Sequence, residues 1–307
     1  MERRRFQEGI LNHCYQRTAD NGVLFYSCSD HLVHFTIYCI LARRHRIKVL
    51  ALCHMPDHIH DSIIASSVED LESFKRDVNR TYSKYYNTYY GLKGQLFETP
   101  YGSALKRDDK AIRTNIVYVG NNPVERHLVS MAEEYRWNFL AYAKSSHPFS
   151  EQIVIRRSRW SLRRAIRIVK SLHDSGKPVN FRIMEVLFMP LNEQEREQLT
   201  DFIVSTYDVI DIDKASTYFN GYDNMIHSMH TNTGSEYDLN EVFTGRSDLY
   251  YGKLTSILKK FGKVKEIHEM LSFPKEKKLA LFRLLKRECA ATDGQIRKFL
   301  HLQVDQP

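Results

Sequence analysis

The sequence has no run of about 18 apolar residues, and its first residues lack the apolar block of a signal peptide. We therefore expect neither a transmembrane helix nor an export signal. The five cysteines are odd in number and none are spaced as Cys-x-x-Cys, which argues against a disulfide framework and a zinc ribbon. Together these absences predict a protein of the reducing cytoplasm. No internal repeat or low-complexity tract is present.

The chain has 307 residues, of which 42% are hydrophobic, enough for a sizeable core and for two domains. We predict a boundary near His147-Pro148, with one domain over residues 1–148 and a mainly helical region over 149–307. The net charge of +8, from 45 Lys+Arg against 37 Asp+Glu, is compatible with nucleic-acid binding but does not establish it.

Strand and helix patterns alternate along the first domain. Strands are predicted over 10–17, 47–53 and 58–65, with a further extended segment over 96–105. Helices are predicted over 31–44, from Ser66-Ser67 to Tyr90, and from Asp108-Asp109 through Tyr118 to about Asn122-Pro123. This order predicts an α+β fold, a ferredoxin-like domain with an antiparallel sheet, followed by the mainly α-helical region.

The segment Met55-Pro-Asp-His58-Ile59-His60-Asp61 is the richest in chemistry. A strand sends alternate side chains to one face, so His58 and His60 stand side by side as a candidate pair of metal ligands. Tyr118 and Asn122 are four residues apart and share one face of a helix. A metal pair, a hydroxyl nucleophile and a third oxygen ligand can cleave a phosphodiester through a covalent tyrosine. Taken alone, however, each motif is also typical of structural packing.

Six landmarks in order make the pattern more specific. They are Asn12-His13-Cys-Tyr-Gln-Arg17, Met55-Pro-Asp-His-Ile-His60, Tyr82-Ser-Lys-Tyr-Tyr86-Asn, Gly94-Gln-Leu-Phe97, Tyr118-Val-Gly-Asn-Asn122-Pro-Val124 and Tyr135-Arg-Trp137-Asn-Phe-Leu-Ala-Tyr142. With these landmarks, residues 8–145 resemble the HUH single-tyrosine transposases, most closely the REP-associated tyrosine transposase group.

The resemblance implies that Tyr118 is the nucleophile and that His58, His60 and Asn122 hold a divalent metal ion, magnesium or manganese. It implies single-stranded, hairpin-forming DNA as substrate, and nicking and strand transfer through a 5′-phosphotyrosine. Asp61 departs from the family pattern, but strand alternation predicts that it points away from the metal face. The DNA sequence recognised, and the choice between monomer and homodimer, stay open.

The DNA-contacting residues are predicted from basic segments, each of which could instead be a solvated surface. The candidates are Arg17, Lys75, Arg80, Lys84, Arg156, Arg157 and Arg163. Arg17 could also pair with Asp57, and residues 156–170 could form a helix with Trp160, Ile166 and Val169 on its inner face. Residues 275–302 fit either a helix-turn-helix or an ordinary helical hairpin.

Other side chains near the motifs have milder predictions. The tyrosines at 82, 85, 86, 89 and 90 are expected to pack or to stack on bases, and Trp137 is expected in the core rather than as a base platform. His13 is expected to be a satisfied core histidine or a support for the pair, and His54 is a weaker ligand candidate.

Three other functions compete with the transposase prediction. A domesticated sequence-specific DNA-binding or regulatory protein would keep the fold with weak or no catalysis. A replication initiator or relaxase would use the same chemistry in another process. A metal hydrolase unrelated to DNA is the weakest alternative, since no water-activating Glu or bridging carboxylate accompanies the pair.

Overall fold

The computed structural model describes residues 7–231, 247–262, 264 and 266–302. Its first part contains seven elements. They are β1 (Leu11–Arg17), α1 (Cys28–Arg44), β2 (Lys48–His54), β3 (His58–Ile64), α2 (Val68–Tyr90), β4 (Gly102–Lys106) and α3 (Asp109–Glu125). Each predicted element is present; the extended segment predicted over 96–105 forms a strand only from Gly102 onward.

The four strands form one antiparallel sheet in the order β2-β3-β1-β4. With one helix after β1 and another after β3, this is the ferredoxin-like β-α-β-β-α-β arrangement. The predicted fold class is therefore confirmed. The two central strands, β1 and β3, are the ones that carry the histidines of interest.

Local signals fix the helix ends. Ser67 caps α2 by accepting from the backbone N–H of Asp70, and Gly91 ends it with a left-handed φ of 67°. α1 begins three residues before the predicted start, because Ser27 and Asp30 form a capping box there. α3 continues past the predicted stop, with Pro123 inside the helix. This continuation keeps Asn122 helical, one turn after Tyr118.

The sheet separates two layers of helices. Tyr38 of α1 and Lys75 of α2 both contact Asp61 on one face of β3. On the opposite face, the Ser62 hydroxyl donates to Asn115 of α3. The side chains of β3 therefore alternate between an α1/α2 face and an α3 face, as the period of two requires.

Residues beyond the sheet are helical, as predicted. The helices are α4 (Trp160–Asp174), α5 (Phe181–Phe188), α6 (Glu193–Tyr207), α7 (Ile212–Thr217), α8 (Tyr222–Thr231), α9 (Leu249–Phe261), α10 (Lys275–Glu288) and α11 (Asp293–Phe299). None of the described helices is long and apolar enough to cross a bilayer.

Most of these helices share a hydrophobic cluster with helices of the first part of the chain. α4, α5 and α6 share one hydrophobic cluster with α1 and α2, whereas α7 and α8 pack into the cluster beneath α3. α9, α10 and α11 pack around Val23 and Tyr26. Residues on both sides of the predicted 148/149 boundary therefore contribute to shared hydrophobic clusters, and the division into two domains stays a prediction.

The segment predicted as a helix-turn-helix or a helical hairpin forms α10 and α11, with Gly294 inside α11 rather than in the turn. Ile296 and Phe299 of α11 are fully buried, and Lys298 pairs with Asp57 of the first domain. The two helices and the short turn between them fit both alternatives, so the choice between a helix-turn-helix and an ordinary helical hairpin stays a prediction.

Candidate active site

His58 and His60 lie side by side on the α3 face of β3. Their ring centroids are 4.7 Å apart and their planes are nearly perpendicular, at 87°. Both are buried, with 2% and 0% of their surface exposed, respectively. Ile59 between them packs into the cluster on the other face of the sheet. The predicted pairing of the two imidazoles is thus a direct result of strand alternation.

A carboxylate orients His58. The Nδ1–H of His58 donates to Asp57 Oδ1 at 2.5 Å, which leaves Nε2 as the lone-pair nitrogen. Lys298 of α11 pairs with the other oxygen of Asp57. Burial acts to raise the pKa of Asp57, but its interactions with His58 and Lys298 outweigh burial and hold that pKa well below its usual range. A carboxylate behind an imidazole is the arrangement that commonly fixes metal-binding histidines.

His13 supports His60 in a similar way. Its Nε2 lies 3.0 Å from His60 Nδ1, within hydrogen-bond distance, across the pairing of β1 with β3. When the hydrogen bond engages Nδ1 of His60, the metal-binding role falls to Nε2. Of the two roles predicted for His13, the structure therefore favours support of the pair.

Tyr118 faces the histidines from α3, and Asn122 lies one helical turn later on the same face of that helix. The ring of Tyr118 is 5.3 Å from that of His60 and 5.5 Å from that of His13, in edge-to-face contacts. Tyr118 is 5% exposed and Asn122 4% exposed. Both histidines and the tyrosine therefore belong to one buried layer between β3 and α3, and Asn122 is buried one turn of α3 after the tyrosine.

Two buried atoms of these residues have no hydrogen-bond partner among the described residues and are suited to bind a divalent metal. His58 Nε2 and Asn122 Oδ1 are buried and have no hydrogen-bond partner within the described part of the chain. A buried polar atom without a partner is costly, and a metal ligand is one physical reason to keep it. Within that same part, no group of three or more His, Cys, Asp and Glu side chains could hold a metal. The candidate set is instead two imidazoles and an amide oxygen.

Arg17 is placed next to this layer. It lies opposite His58 in the β1–β3 pairing, is half-buried, and its guanidinium is 5.5 Å from the ring centre of Tyr15. Asp57 pairs with Lys298 and with His58, and a pair between Arg17 and Asp57 stays a prediction.

The predicted basic surface of α2 requires correction. Lys75 is buried, and its ammonium donates to Asp61 at 2.9 Å, so it belongs to the core rather than to a DNA-facing surface. The same contact places Asp61 on the α1/α2 face, as expected. Arg80 and Lys84 are exposed, but α2 lies across the sheet from the histidine pair. These two residues do not converge on the candidate site.

The basic stretch that precedes and enters α4 is also away from the pair. Arg156 and Arg157 are exposed and Arg163 is half-buried. Ile166 and Val169 face inward as the helix alternative predicted, but Trp160 is 62% exposed, so it does not belong to that inner face. α4 packs on α6, on the side of the molecule that carries α1 and α2.

A second histidine cluster lies on the α1/α2 face. His54 Nε2 is 3.1 Å from His34 Nδ1, and Phe25 stacks on both His54 and His31. Burial lowers the pKa of His54 to about 3 and those of His31 and His34 well below their usual value. His54, proposed from sequence as a weaker ligand, is therefore separated by the sheet from the pair and packs as a neutral core histidine.

Two charged side chains near the site, Lys298 and Asp248, were not predicted from the sequence. Lys298 is 241 residues from Asp57, and no local pattern could connect them. Asp248 begins α9, and burial, reinforced by the charge of Asp57, raises its pKa to about 6. Its Oδ2 is buried without a hydrogen-bond partner in the described residues. Only folding brings these side chains to His58.

The comparisons with known proteins return one structural likeness. No family model matches the chain, and no curated protein matches it. A solved structure described as a REP-associated tyrosine transposase bound to a REP hairpin is similar over 50% of this chain and 93% of its own, at 16% identity and a TM-score of 0.40. It is from the group that the sequence landmarks resemble.

Proposed function

We propose that this protein is a metal-dependent enzyme that nicks single-stranded DNA and transfers the strand through a 5′-phosphotyrosine on Tyr118. The observation that carries the proposal is the buried contact of Tyr118 with His60, together with His58 Nε2 and Asn122 Oδ1, which are buried without a hydrogen-bond partner among the described residues. Two neutral imidazole nitrogens and an amide oxygen suit magnesium or manganese, with positions left for phosphate oxygens and water.

When bound, the divalent ion polarises the scissile phosphate and stabilises the charge that develops on it. His58, His60 and Asn122 would hold it. Asp57 and His13 orient the two imidazoles from behind, and they keep Nε2 of each ring as the ligand atom. Their contribution is geometric, because a ligand held in one rotamer needs no reorganisation during the reaction.

The covalent step is an exchange of one phosphate ester for another. The Tyr118 oxygen forms a bond to phosphorus and the bond from phosphorus to the 3′ oxygen breaks. The phenolic proton leaves to solvent and the departing 3′ oxygen takes one up, so the products are a 5′-phosphotyrosine and a free 3′-hydroxyl. Attack by the 3′-hydroxyl of a second strand reverses the exchange and joins it, without an external energy source.

Arg17 is the best-placed cation for the DNA backbone. It lies beside His58 on the same face of the sheet, whereas Lys75 is buried and Arg80 and Lys84 lie across the sheet. We assign Arg17 to a phosphate next to the scissile one. Arg156, Arg157 and Arg163 remain proposals for a more distant stretch of a hairpin, since they are on the α4 side of the molecule.

Covalent trapping tests the proposal. Labelled single-stranded hairpins from the DNA that flanks the gene are mixed with the protein and manganese, then resolved on denaturing gels. We expect a metal-dependent adduct that Tyr118→Phe abolishes. Tyr15→Phe is the matched control, because Tyr15 is 6.5 Å from the ring of His60 on the neighbouring strand, and its adduct must persist.

An adduct that survives Tyr118→Phe but not Tyr15→Phe would move the nucleophile to Tyr15. DNA binding without any adduct, over the full set of flanking hairpins, would favour the DNA-binding and regulatory alternative over the enzyme.

A further inference from the structure

A cavity of about 540 Å³ lies beside the candidate site, where the first domain meets α9 and α11. Its volume is within the roughly 300–1,000 Å³ range of small-ligand sites. Pro56 lines it, and His58 follows two residues later, so no more than about 7 Å of chain separates the cavity from the pair. The Pro56 carbonyl accepts from the N–H groups of Leu24 and Phe25, which holds this wall in place.

The cavity has a stacked aromatic wall. His31 lies between Phe25 and Trp137, with centroid distances of 4.3 Å and 4.2 Å and, against Trp137, an angle of 5°. All three rings line the cavity, and Trp137 is half-buried at the end of the stack. A flat heterocycle that enters here extends an existing stack, which is how single-stranded bases bind aromatic side chains.

The polar groups of the cavity suit the edge of a base better than a phosphate. Arg136 is the one cation among the described lining residues, and it is already paired with Glu197 and Asp201. Glu134 accepts from the backbone N–H groups of Ser130 and Met131. The cavity therefore offers no uncommitted positive charge to an anion.

Two buried polar atoms of the lining have no partner in the described residues, His31 Nδ1 and Asp248 Oδ2. Asp248 is the first residue before α9, yet its side chain makes no cap hydrogen bond, so the carboxylate does not serve the helix. An unsatisfied acceptor in an aromatic cavity calls for a donor, and an exocyclic amino group of a base supplies one.

From this geometry we infer that the cavity is a nucleobase subsite, which stacks a flipped base of the substrate strand on Trp137 and selects bases with an exocyclic amino group through Asp248. The inference rests on the proposed function, since the base belongs to the strand that is cut next door. Adenine, cytosine and guanine carry such an amino group. Thymine has no exocyclic amino group. Its two carbonyl oxygens, which flank a single N–H, repel a carboxylate.

The two tryptophans of the chain provide the test. Trp160 is exposed on α4, so Trp160→Phe leaves Trp137 as the only indole. The deoxynucleoside monophosphates dAMP, dCMP, dGMP and TMP are titrated into this variant without divalent metal, at pH 7.5. We expect saturable quenching of Trp137, with TMP weaker than the other three by about tenfold, as one lost hydrogen bond to a charged group predicts.

Asp248→Asn is expected to reduce the discrimination against TMP to about twofold, because an amide can donate to a thymine carbonyl as well as accept. Asp213→Asn, an exposed position on α7, is the matched control and must keep the tenfold difference. In Trp137→Phe, the remaining Trp160 must show no saturable quenching. Far-UV circular dichroism verifies that each variant is folded.

Three results overturn the inference: no saturation up to roughly 10 mM of any nucleotide, a range that covers weak sites; equal affinity for TMP; or an unchanged preference in Asp248→Asn. The test needs neither Tyr118 nor a metal, so its outcome is independent of the trapping assay. An adduct on Tyr118 with no base discrimination would refute the subsite alone, and base discrimination without an adduct would refute the enzyme alone.

Discussion

Each face of the sheet carries a cluster of three histidines, and the two clusters differ in what holds the rings. On the α3 face, His58 donates to a carboxylate, and His60 is within hydrogen-bond distance of His13. On the α1/α2 face, His34 contacts His54, while His31 has only aromatic neighbours. The first cluster faces Tyr118; the second packs among aromatic rings, and its His31 also lines the cavity beside Trp137.

The two clusters have the same number of rings, and they differ in the partner behind a ring, which is a carboxylate only in the cluster that we propose as the metal site. A carboxylate favours a fixed tautomer with an available nitrogen. Apolar enclosure instead lowers the pKa of each histidine and keeps it neutral. Among the charged groups of the α1/α2 face, Lys75 pairs with Asp61 Oδ2, which also accepts from the Tyr38 hydroxyl.

Lys75→Met is the largest expected perturbation of the α1/α2 face. It leaves the Asp61 carboxylate buried with only the Tyr38 hydroxyl as a partner, which should lower the free energy of unfolding by about 3–5 kcal/mol. Urea denaturation measures it. Arg80→Met, which breaks the exposed pair with Asp77, is the control and should change stability by less than about 1 kcal/mol. Equal effects would contradict the division between core and surface.

Asp57→Asn tests the carboxylate of the α3 face. Without a charged acceptor behind His58, the manganese affinity should fall about 10–100-fold, as measured by calorimetric titration. Asp77→Asn changes another histidine-bound carboxylate, which contacts His45 on the far side of the sheet, and should leave the affinity unchanged. If Asp57→Asn binds manganese as tightly as the wild type, Asp57 does not strengthen metal binding by orienting His58.

The histidines of the α1/α2 face predict a pH dependence of stability. Their folded-state pKa values lie below the unfolded value of about 6.5, so the unfolded chain takes up protons that the folded chain does not. The contribution of these histidines to the free energy of unfolding is therefore fully present above pH 6.5. It falls as the pH drops below 6.5, by up to about 1.4 kcal/mol per pH unit for each histidine. His34→Gln should remove one such increment between pH 6 and 5 in urea titrations. An unchanged slope would contradict the neutral, buried assignment.

Arg17→Met is the mildest change. One lost phosphate contact should reduce the slope of log affinity against log salt for a single strand by about 0.7, with a several-fold loss of binding at low salt. Fluorescence anisotropy with a labelled hairpin measures both. Arg80→Met again serves as the control. If the salt dependence of affinity fell in Arg80→Met but not in Arg17→Met, the DNA would bind on the α1/α2 face instead.

Much of this architecture is readable from local sequence. Period-two alternation placed His58 and His60 on one face and Asp61 on the other, and Ser67 and Gly91 marked the ends of α2 because capping acts over a few residues. The continuation of α3 through Pro123 was not predicted, since the missing N–H normally ends a helix.

The rest depends on contacts between distant segments. Lys75 has the sequence context of a solvated helix face, and only its position opposite Asp61 makes it a core residue. Trp160 has the composition of an inner stripe, but the helix turns it outward. Lys298 and Asp248 reach the site through the docking of α9 and α11, which no periodicity encodes.

Manganese titration of two matched histidine variants tests the central claim most directly, that only the α3 face holds a metal. The wild type, His58→Ala and His34→Ala are compared by calorimetry, each verified as folded by circular dichroism. We expect the wild type and His34→Ala to bind manganese, and we expect the manganese affinity of His58→Ala to be more than about 100-fold lower. Loss of binding in His34→Ala with retention in His58→Ala, or no binding by the wild type, would contradict it.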